Sequence, residues 1–370
     1  MATEVSVDHA RAMGALEPGS RLQALSIDRR RPGARDVQID IAFCGICHSD
    51  LHHVDDDYGR SKYPLVPGHE IVGTVSAVGS DVERFAVGDV VGVGCMIGSC
   101  GACDACRRGL EQFCRQGDIK TANGTDRDGS PTAGGYSRRI VVSADFVLRV
   151  PPAIPLECAA PLLCAGITMY SPLRHWKVGP GRRVAFLGMG GVGHVGVKIA
   201  RALGAHTTVL DVTEDKREDS LRLGADDFRV TAVDGWTSGI QRTFDLIICT
   251  VPASIDIDLY LDLLATDGTL VLIGVPNRPL EVSAISLIFN RRSIAGSLIG
   301  GVAETQEMLD FCAQHGIGAE VEVIGAGDLD VAYERVRAGD VKFRFVLDCA
   351  TIPPSDGSQL PPAIRLREEF

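Results

Sequence analysis

The sequence predicts an α/β plus β chain: a doubly wound parallel sheet on one domain and an irregular, barrel-like β domain on another. Three observations predict this. The first is length, because 370 residues exceed what one ordinary core organises and suit two domains. The second is a period of two near the start, where Val37, Ile39, Ile41 and Phe43 alternate with Gln38, Asp40 and Ala42, the signature of a half-buried strand. The third is a change of pattern after about Cys158, where short apolar runs alternate with stretches of helical spacing, as in a parallel sheet with crossover helices.

In chain order, Ile71–Gly79 and Val87–Gly94 are further Val/Gly-rich strands bounded by turn residues. Val184–Leu187 is a short buried strand, followed by Val192, Val195, Ile199 and Leu203 at helical spacing. Thr207–Leu210, Asp245–Cys249 and Thr269–Ile273 are three more apolar strands. The segment Val302–Cys349 is mixed and is expected to return to the first domain. The tail Thr351–Phe370, rich in Pro and charge, is expected to be loosely held. No repeat or low-complexity segment stands out.

Composition narrows the function. With 45% hydrophobic and 23% charged residues, the chain suits a soluble globule. Its formal net charge of −11 is the wrong sign for a phosphate-backbone binder, and the short basic runs Arg29–Arg31 and Arg291–Arg292 read as solvated faces. Nucleic acid is not an expected partner. Apolar runs such as Val184–Gly193 are too short to span a bilayer, so no membrane is expected either. The segment Met1–Ser20 carries Glu4, Asp8, His9 and Arg11 and lacks an apolar signal core, which points to the cytoplasm.

Gly188-Met189-Gly190-Gly191-Val192-Gly193 is a GxGxxG run between a strand and a helix, with Asp211 about twenty positions on. That context makes it a dinucleotide-binding loop. Gly188 allows the tight turn, Gly190 lets the backbone approach a pyrophosphate, and Gly193 lets helix and strand pack closely. Gly191 and Val192 open the helix, whose N-terminus supplies amide donors and positive potential. A carboxylate at Asp211 accepts hydrogen bonds from ribose hydroxyls and repels a 2′-phosphate, so NAD(H) is expected over NADP(H). Two features pull the other way. Asp211 could simply cap the next turn, and Lys216 and Arg217 could help a 2′-phosphate.

Five of the twelve cysteines fall within Cys95–Cys114. Cys100, Cys103 and Cys106, followed by Cys114, place four thiols on a Gly-bearing loop with two-residue spacers. Four thiolates at tetrahedral corners hold zinc in a closed, structural site. An iron–sulfur cluster also uses four cysteines, and the spacing leaves that alternative open. Three other segments carry possible ligands: Cys44–Asp50, Gly68–Glu70 and Leu163–Gly166. They are too far apart to be joined into a site by spacing.

Taken together, CGICHSDLH (Cys44–His52), YPLVPGHEIVGTV (Tyr63–Val75), the four-cysteine loop, GGYS (Gly134–Ser137), LLCAGITMYSPL (Leu162–Leu173), GMGGVGHVGVKIA (Gly188–Ala200) and RFVLD (Arg344–Asp348) resemble the zinc-containing medium-chain dehydrogenase/reductase superfamily. The likeness is to its cinnamyl-alcohol-dehydrogenase-like branch, and it covers nearly the whole chain in the family's order. It implies a GroES-like barrel catalytic domain of residues 1–158 and 300–370, and a Rossmann cofactor domain of residues 159–299. It implies two zinc ions per chain, the catalytic one on Cys47, His69 and Cys164 with Glu70 as an exchangeable ligand. Asp50 would orient the zinc-bound histidine, while Cys44 and Cys158 would be structural thiols.

By the same resemblance, zinc acts as a Lewis acid on an alcohol or aldehyde and hydride passes to or from nicotinamide. Ser49 and His52 would relay the proton. Thr168 would touch the nicotinamide, and His48 and Arg344 would lie near the pyrophosphate. Leu51, Tyr58, Met96 and Ile299 would line a mostly apolar pocket for aryl, allylic or terpenoid primary alcohols. A homodimer paired near Ser293–Ile299 is expected.

Two stretches depart from the branch. Many of its members use NADP and carry a hydroxyl residue where Asp211 stands, and the loop Gly117–Pro131 has no close counterpart. Two rival readings remain. One is a reductase of polarised C=C or C=N bonds on the same scaffold, against which the intact Ser49 and His52 argue. The other is a non-catalytic zinc- or cofactor-binding module, which would have lost part of the ligand set.

Overall fold

A computed structural model describes residues 7–276 and 278–354. Of the tail expected to be loosely held, residues 355–370 lie outside the described residues. Contacts divide the chain into two units. One comprises Met1–Cys164 and the segment from Glu320, and the other comprises Ala165–Ala319.

The first unit is built on a largely antiparallel sheet. The alternating run forms its central strand, Asp36–Gly45, which pairs with Ile71–Val78 on one side and with Arg344–Asp348 and Arg139–Ser143 on the other. Ile71–Val78 continues to Val90–Val93, and that strand to Leu148–Arg149. The core is the inward side of this alternation: Val37, Ile39, Ile41, Ile71, Val75, Val91 and Ile140 are essentially inaccessible to solvent. Burying such side chains stabilises a fold by roughly 1.5–3 kcal/mol each. Pairing Arg344–Asp348 with the central strand sets the C-terminal segment beside the loops at its end, where the site forms.

The second unit carries six parallel strands. In space they run Asp227–Val230, His206–Asp211, Arg183–Leu187, Phe244–Cys249, Leu264–Leu272 and Ser293–Gly296. This is the doubly wound order, and the strand order reverses beside Arg183–Leu187, where ligands of such sheets bind. The glycine run leaves the end of that strand and enters helix Gly193–Ala202. Both faces are covered, so Val184, Ala185, Phe186 and Ile247 have no exposed surface, and the strands read as continuous apolar runs.

The unit boundaries differ from those expected. The return falls at Glu320 and not at residue 300, because helix Val302–Gln314 packs on helix Ala165–His175. There the Tyr170 hydroxyl donates to Glu307 at 2.8 Å and the Tyr170 and Phe311 rings lie 5.5 Å apart. The first boundary falls at Cys164 and not at residue 158, because the turns Leu156–Ala159 and Ala160–Leu163 pack on the first unit's sheet. Among the described residues no single helix is long and apolar enough to cross a membrane.

Candidate active site and metal centres

The first unit brings Cys47, His69, Glu70 and Cys164 together. One ligand atom from each lies within 4.8 Å of all the others, and the two thiol sulfurs are 4.0 Å apart. Thiolates about 2.3 Å from a tetrahedral ion sit about 3.8 Å from each other, so the cluster has the size of a single-ion site. Cys47 caps helix His48–Asp55, whose N-terminal dipole favours a thiolate. Cys164 ends the turn Ala160–Leu163.

Asp50 organises this cluster. It is fully buried. One carboxylate oxygen accepts the Cys47 backbone N–H at 2.9 Å, and the other accepts the Gly68 N–H at 2.9 Å and faces His69 Nδ1 at 3.1 Å. His69 therefore presents Nε2 to the cluster, as a metal-bound imidazole requires. Burial alone would lower the His69 pKa, but the neighbouring Asp50 carboxylate carries it well above the ordinary value. In the thiol pair, Cys47 is driven down by its hydrogen bond with Cys164 and, against burial, by His69.

Glu70 supplies the clearest sign that the site suits a cation. It is wholly buried. One oxygen accepts from Arg344 Nη2, and the other, Oε2, has no partner at all. Burial pushes its pKa up to about 8 despite Arg344. An orphaned buried carboxylate oxygen is costly unless a cation meets it. Gly45 makes room for it, since a Cβ there would stand 1.9 Å from Oε2. The residues present fit a metal ion.

The four-cysteine loop closes on itself. Cys100, Cys103, Cys106 and Cys114 also converge within 4.8 Å, with sulfur separations of 3.8 Å for Cys100–Cys106 and 3.5 Å for Cys103–Cys106. Backbone N–H groups of Ala102 and Cys103 point at Cys100 Sγ, and that of Cys100 at Cys114 Sγ. Backbone donors draw the Cys103 thiol down to about 6. Sulfurs this close surround one ion. A cluster of several irons would hold them farther apart. The loop that departs from the branch is tied in here, because Arg127 donates to the Ser99 carbonyl.

The relay residues lie on the same helix as Cys47. Ser49 Oγ is 3.7 Å from Cys47 Sγ. His52 Nδ1 is 2.6 Å from Asp57 Oδ2, which leaves Nε2 free. Asp57 is a partner the sequence reading missed, although its position five residues after His52, just past a helix end, was the available signal. Tyr58 is exposed, its ring 5.4 Å from that of His52. Met96 is buried on strand Met96–Gly98. Leu51 faces inward and joins the core with Ile46 and Val54. His48 is exposed at the start of its helix. Strand pairing with Asp36–Gly45 buries Arg344 against Glu70.

In the second unit, Gly193 stands where a Cβ would meet the Gly188 carbonyl at 2.1 Å, so strand and helix pack as the motif requires. A Cβ on Gly190 would meet no protein atom within 4 Å, so its approach is open. Gly191 and Val192 lie between them on the turn into the helix. Asp211 is already engaged, one oxygen accepting the Met189 N–H at 2.7 Å and the other the Thr213 N–H at 3.3 Å. The Lys216 ammonium lies 3.7 Å from Asp215. Thr168 is buried on helix Ala165–His175, and Ile299 is buried in the same unit.

Comparison with known proteins follows this geometry. Residues 33–152 match the alcohol dehydrogenase GroES-like domain, and residues 191–314 match the zinc-binding dehydrogenase family. NADP-dependent alcohol dehydrogenase C of Mycobacterium bovis is 53% identical over 92% of this chain and 98% of its own length. Aldehyde reductase YahK of Escherichia coli is 48% identical over 92% and 99%. The solved cinnamyl alcohol dehydrogenase of Sorghum bicolor superposes with a TM-score of 0.91 at 42% identity, covering 94% of this chain and all of that one.

These relatives overturn one expectation. A preference for NAD was read from Asp211, yet a relative sharing half of all residues along nearly the whole chain is NADP-dependent. The carboxylate that carried the inference is spent on two backbone amides. With the cysteine and histidine ligands assembled, the glycine loop in place and family likeness along the whole length, the chain belongs to the zinc-containing medium-chain dehydrogenase/reductase superfamily, in its cinnamyl-alcohol-dehydrogenase-like branch, and carries out alcohol/aldehyde oxidation and reduction.

Proposed function

We propose that this chain is a zinc-dependent, NADP(H)-linked oxidoreductase of primary alcohols and their aldehydes, with aryl, allylic or terpenoid substrates. The observation that carries the reading is the buried Cys47–His69–Glu70–Cys164 cluster with its orphaned carboxylate oxygen. Two zinc ions per chain correspond to the two convergent ligand groups. Bound at the first group, zinc supplies a Lewis acid that stabilises negative charge on a substrate oxygen.

The chain's own residues do the rest. Ser49 lies beside Cys47, and its hydroxyl exchanges a proton with the substrate hydroxyl in this reading. The Asp57 carboxylate holds Nδ1–H of His52, which fixes the tautomer and leaves Nε2 to exchange that proton with water. Arg344 compensates the Glu70 charge from the side away from its free oxygen. Support for NADP(H) comes from the NADP-dependent mycobacterial relative and from Lys216 near the end of strand His206–Asp211, where a 2′-phosphate would be met. His48, Thr168 and Arg344 as cofactor contacts, and Tyr58, Met96 and Ile299 as pocket residues, remain part of the proposal.

A homodimer through strand Ser293–Gly296 belongs to it as well. That strand ends its sheet, and Val275, Ile285, Ile288 and Phe289 nearby are 55–71% exposed, an apolar patch of the kind a partner covers. Among the described residues no cysteine is paired in a disulfide, which suits a reducing compartment such as the cytoplasm.

The test is metal analysis together with assays on benzyl, cinnamyl and aliphatic alcohols and the matching aldehydes, each with NADP(H) and NAD(H). We expect two zinc ions per chain and cofactor turnover favouring NADP(H). Absence of turnover with every alcohol and aldehyde, alongside reduction of a conjugated C=C bond, would favour the rival chemistry instead.

A further inference from the structure

The glycine turn of the second unit is held by two side chains that lie outside its glycines. Thr250 follows strand Phe244–Cys249, which pairs with Arg183–Leu187. Its N–H donates to the Leu187 carbonyl at 3.0 Å. Its hydroxyl lies 2.9 Å from that carbonyl and 3.3 Å from the Gly188 carbonyl. A Cβ on Gly188 would stand 2.7 Å from Thr250 Oγ1, so the hydroxyl packs directly on the turn. His194, the second residue of helix Gly193–Ala202, has no exposed surface. Its backbone N–H donates to the Gly190 carbonyl at 3.1 Å, and its Nδ1 lies 3.3 Å from the same oxygen. A carbonyl only accepts, so this contact requires the proton on Nδ1.

Each contact fixes one peptide plane. In a trans peptide the C=O and the next N–H point in opposite directions. The Gly188–Met189 plane is gripped at both ends, its oxygen by Thr250 at 3.3 Å and its Met189 N–H by Asp211 at 2.7 Å. The Gly190–Gly191 plane has its oxygen turned onto His194, which turns the Gly191 N–H the other way. Among the described residues no backbone acceptor meets the N–H groups of Gly190, Gly191 and Val192. Glycine peptides reorient at low cost, because no Cβ opposes the change. A flipped plane would aim a carbonyl oxygen at a bound phosphate in place of an amide.

We propose that Thr250 and His194 are positioning residues for the dinucleotide phosphates: they hold the Gly188 and Gly190 carbonyls away from the phosphate side and keep the turn's free amides facing it. The inference rests on the cofactor reading given above and adds two residues that the GxGxxG run does not contain. It also sets a signature. The pyrophosphate is common to NADPH and NADH, so both lose affinity together when either side chain is removed.

The experiment uses the full-length, zinc-loaded protein. NADPH and NADH are titrated by fluorescence against the parent, T250V, T250S, H194L and H194N. T250V and H194L remove the donor, whereas T250S and H194N keep one near its place. T250V and H194L should weaken both dinucleotides by a similar factor, roughly 5–30-fold for one lost contact. The cofactor KM should rise while kcat at saturation stays near the parent value, and T250S and H194N should bind nearly as the parent does. Without cofactor, amide hydrogen exchange should quicken over residues 188–192 in T250V while the rest of the unit stays protected. T250V binding as tightly as the parent, T250S as weak as T250V, exchange raised throughout the unit, or a loss confined to NADPH would overturn the proposal. The two Thr250 variants alter the side chain by a single group, so they decide the matter even where H194L does not fold. A parent that binds neither dinucleotide defeats the cofactor reading itself, a result distinct from equal binding by parent and T250V.

Discussion

Asp50 shows how much one buried carboxylate decides at the scale of a residue. It fixes the Cys47 backbone, the Gly68 backbone and the His69 ring at once. Asp50→Asn keeps the shape but loses the charge, and metal affinity at this site should fall about 10–100-fold, read by competition with a chelator. Gly45 is as specific. Gly45→Ala drives a methyl into Glu70 Oε2, so metal analysis should find the four-cysteine ion retained and the other one lost. Ser49→Ala and His52→Gln should each slow alcohol oxidation about 10²–10⁴-fold while NADPH affinity, followed by fluorescence, stays near its original value. An unchanged rate in both would remove these residues from the proton path. Ser49 and His52 were named by family resemblance, because they sit in a short motif. Asp57 and Arg344 found their partners through a turn and a strand pairing that the motif does not contain.

At the scale of elements, the glycine loop is braced by the strand next to it. Asp211 links the Met189 amide to the Thr213 amide, tying the loop after Arg183–Leu187 to the end of His206–Asp211. Removing an acceptor from a loop amide costs about 1–3 kcal/mol. Asp211→Ala should therefore lower the thermal midpoint by several degrees in the absence of any cofactor. No change in melting would mean that the brace is not used. Lys216→Ala should weaken NADPH and leave NADH binding nearly untouched. The strands of both sheets were readable from periodicity, but helix Val302–Gln314 was expected in the wrong unit. Its segment reads only as mixed in sequence, and its membership depends on Tyr170, Phe311 and Glu307 meeting in space.

For the whole molecule, the question is what covers the free edge of the parallel sheet. Ile288 and Phe289 are among the most exposed large apolar side chains, at 71% and 64%. Replacing both by Glu should convert a dimer to monomers in sedimentation equilibrium while the circular dichroism spectrum is preserved. A monomeric parent protein would end the dimer proposal outright. Cofactor choice is also read at this level, from the ratio of catalytic efficiencies with NADPH and NADH.

Read alone, the sequence determined the two architectures, the four-cysteine metal loop and the glycine turn, because each depends on residues close together in the chain. Hydrophobic period, two-residue spacers and a GxGxxG run are local quantities. The catalytic cluster was not determined in that way. Cys47, His69 and Cys164 come from three distant loops, and only the pairing of Asp36–Gly45 with Ile71–Val78 and Arg344–Asp348 brings their neighbours to one place. Family likeness named those ligands in advance, but tertiary structure alone revealed that Glu70 keeps an oxygen free, that Arg344 serves Glu70 and that Leu51 belongs to the core. Contacts between residues far apart in sequence carry no periodic trace, so folding is what decides them.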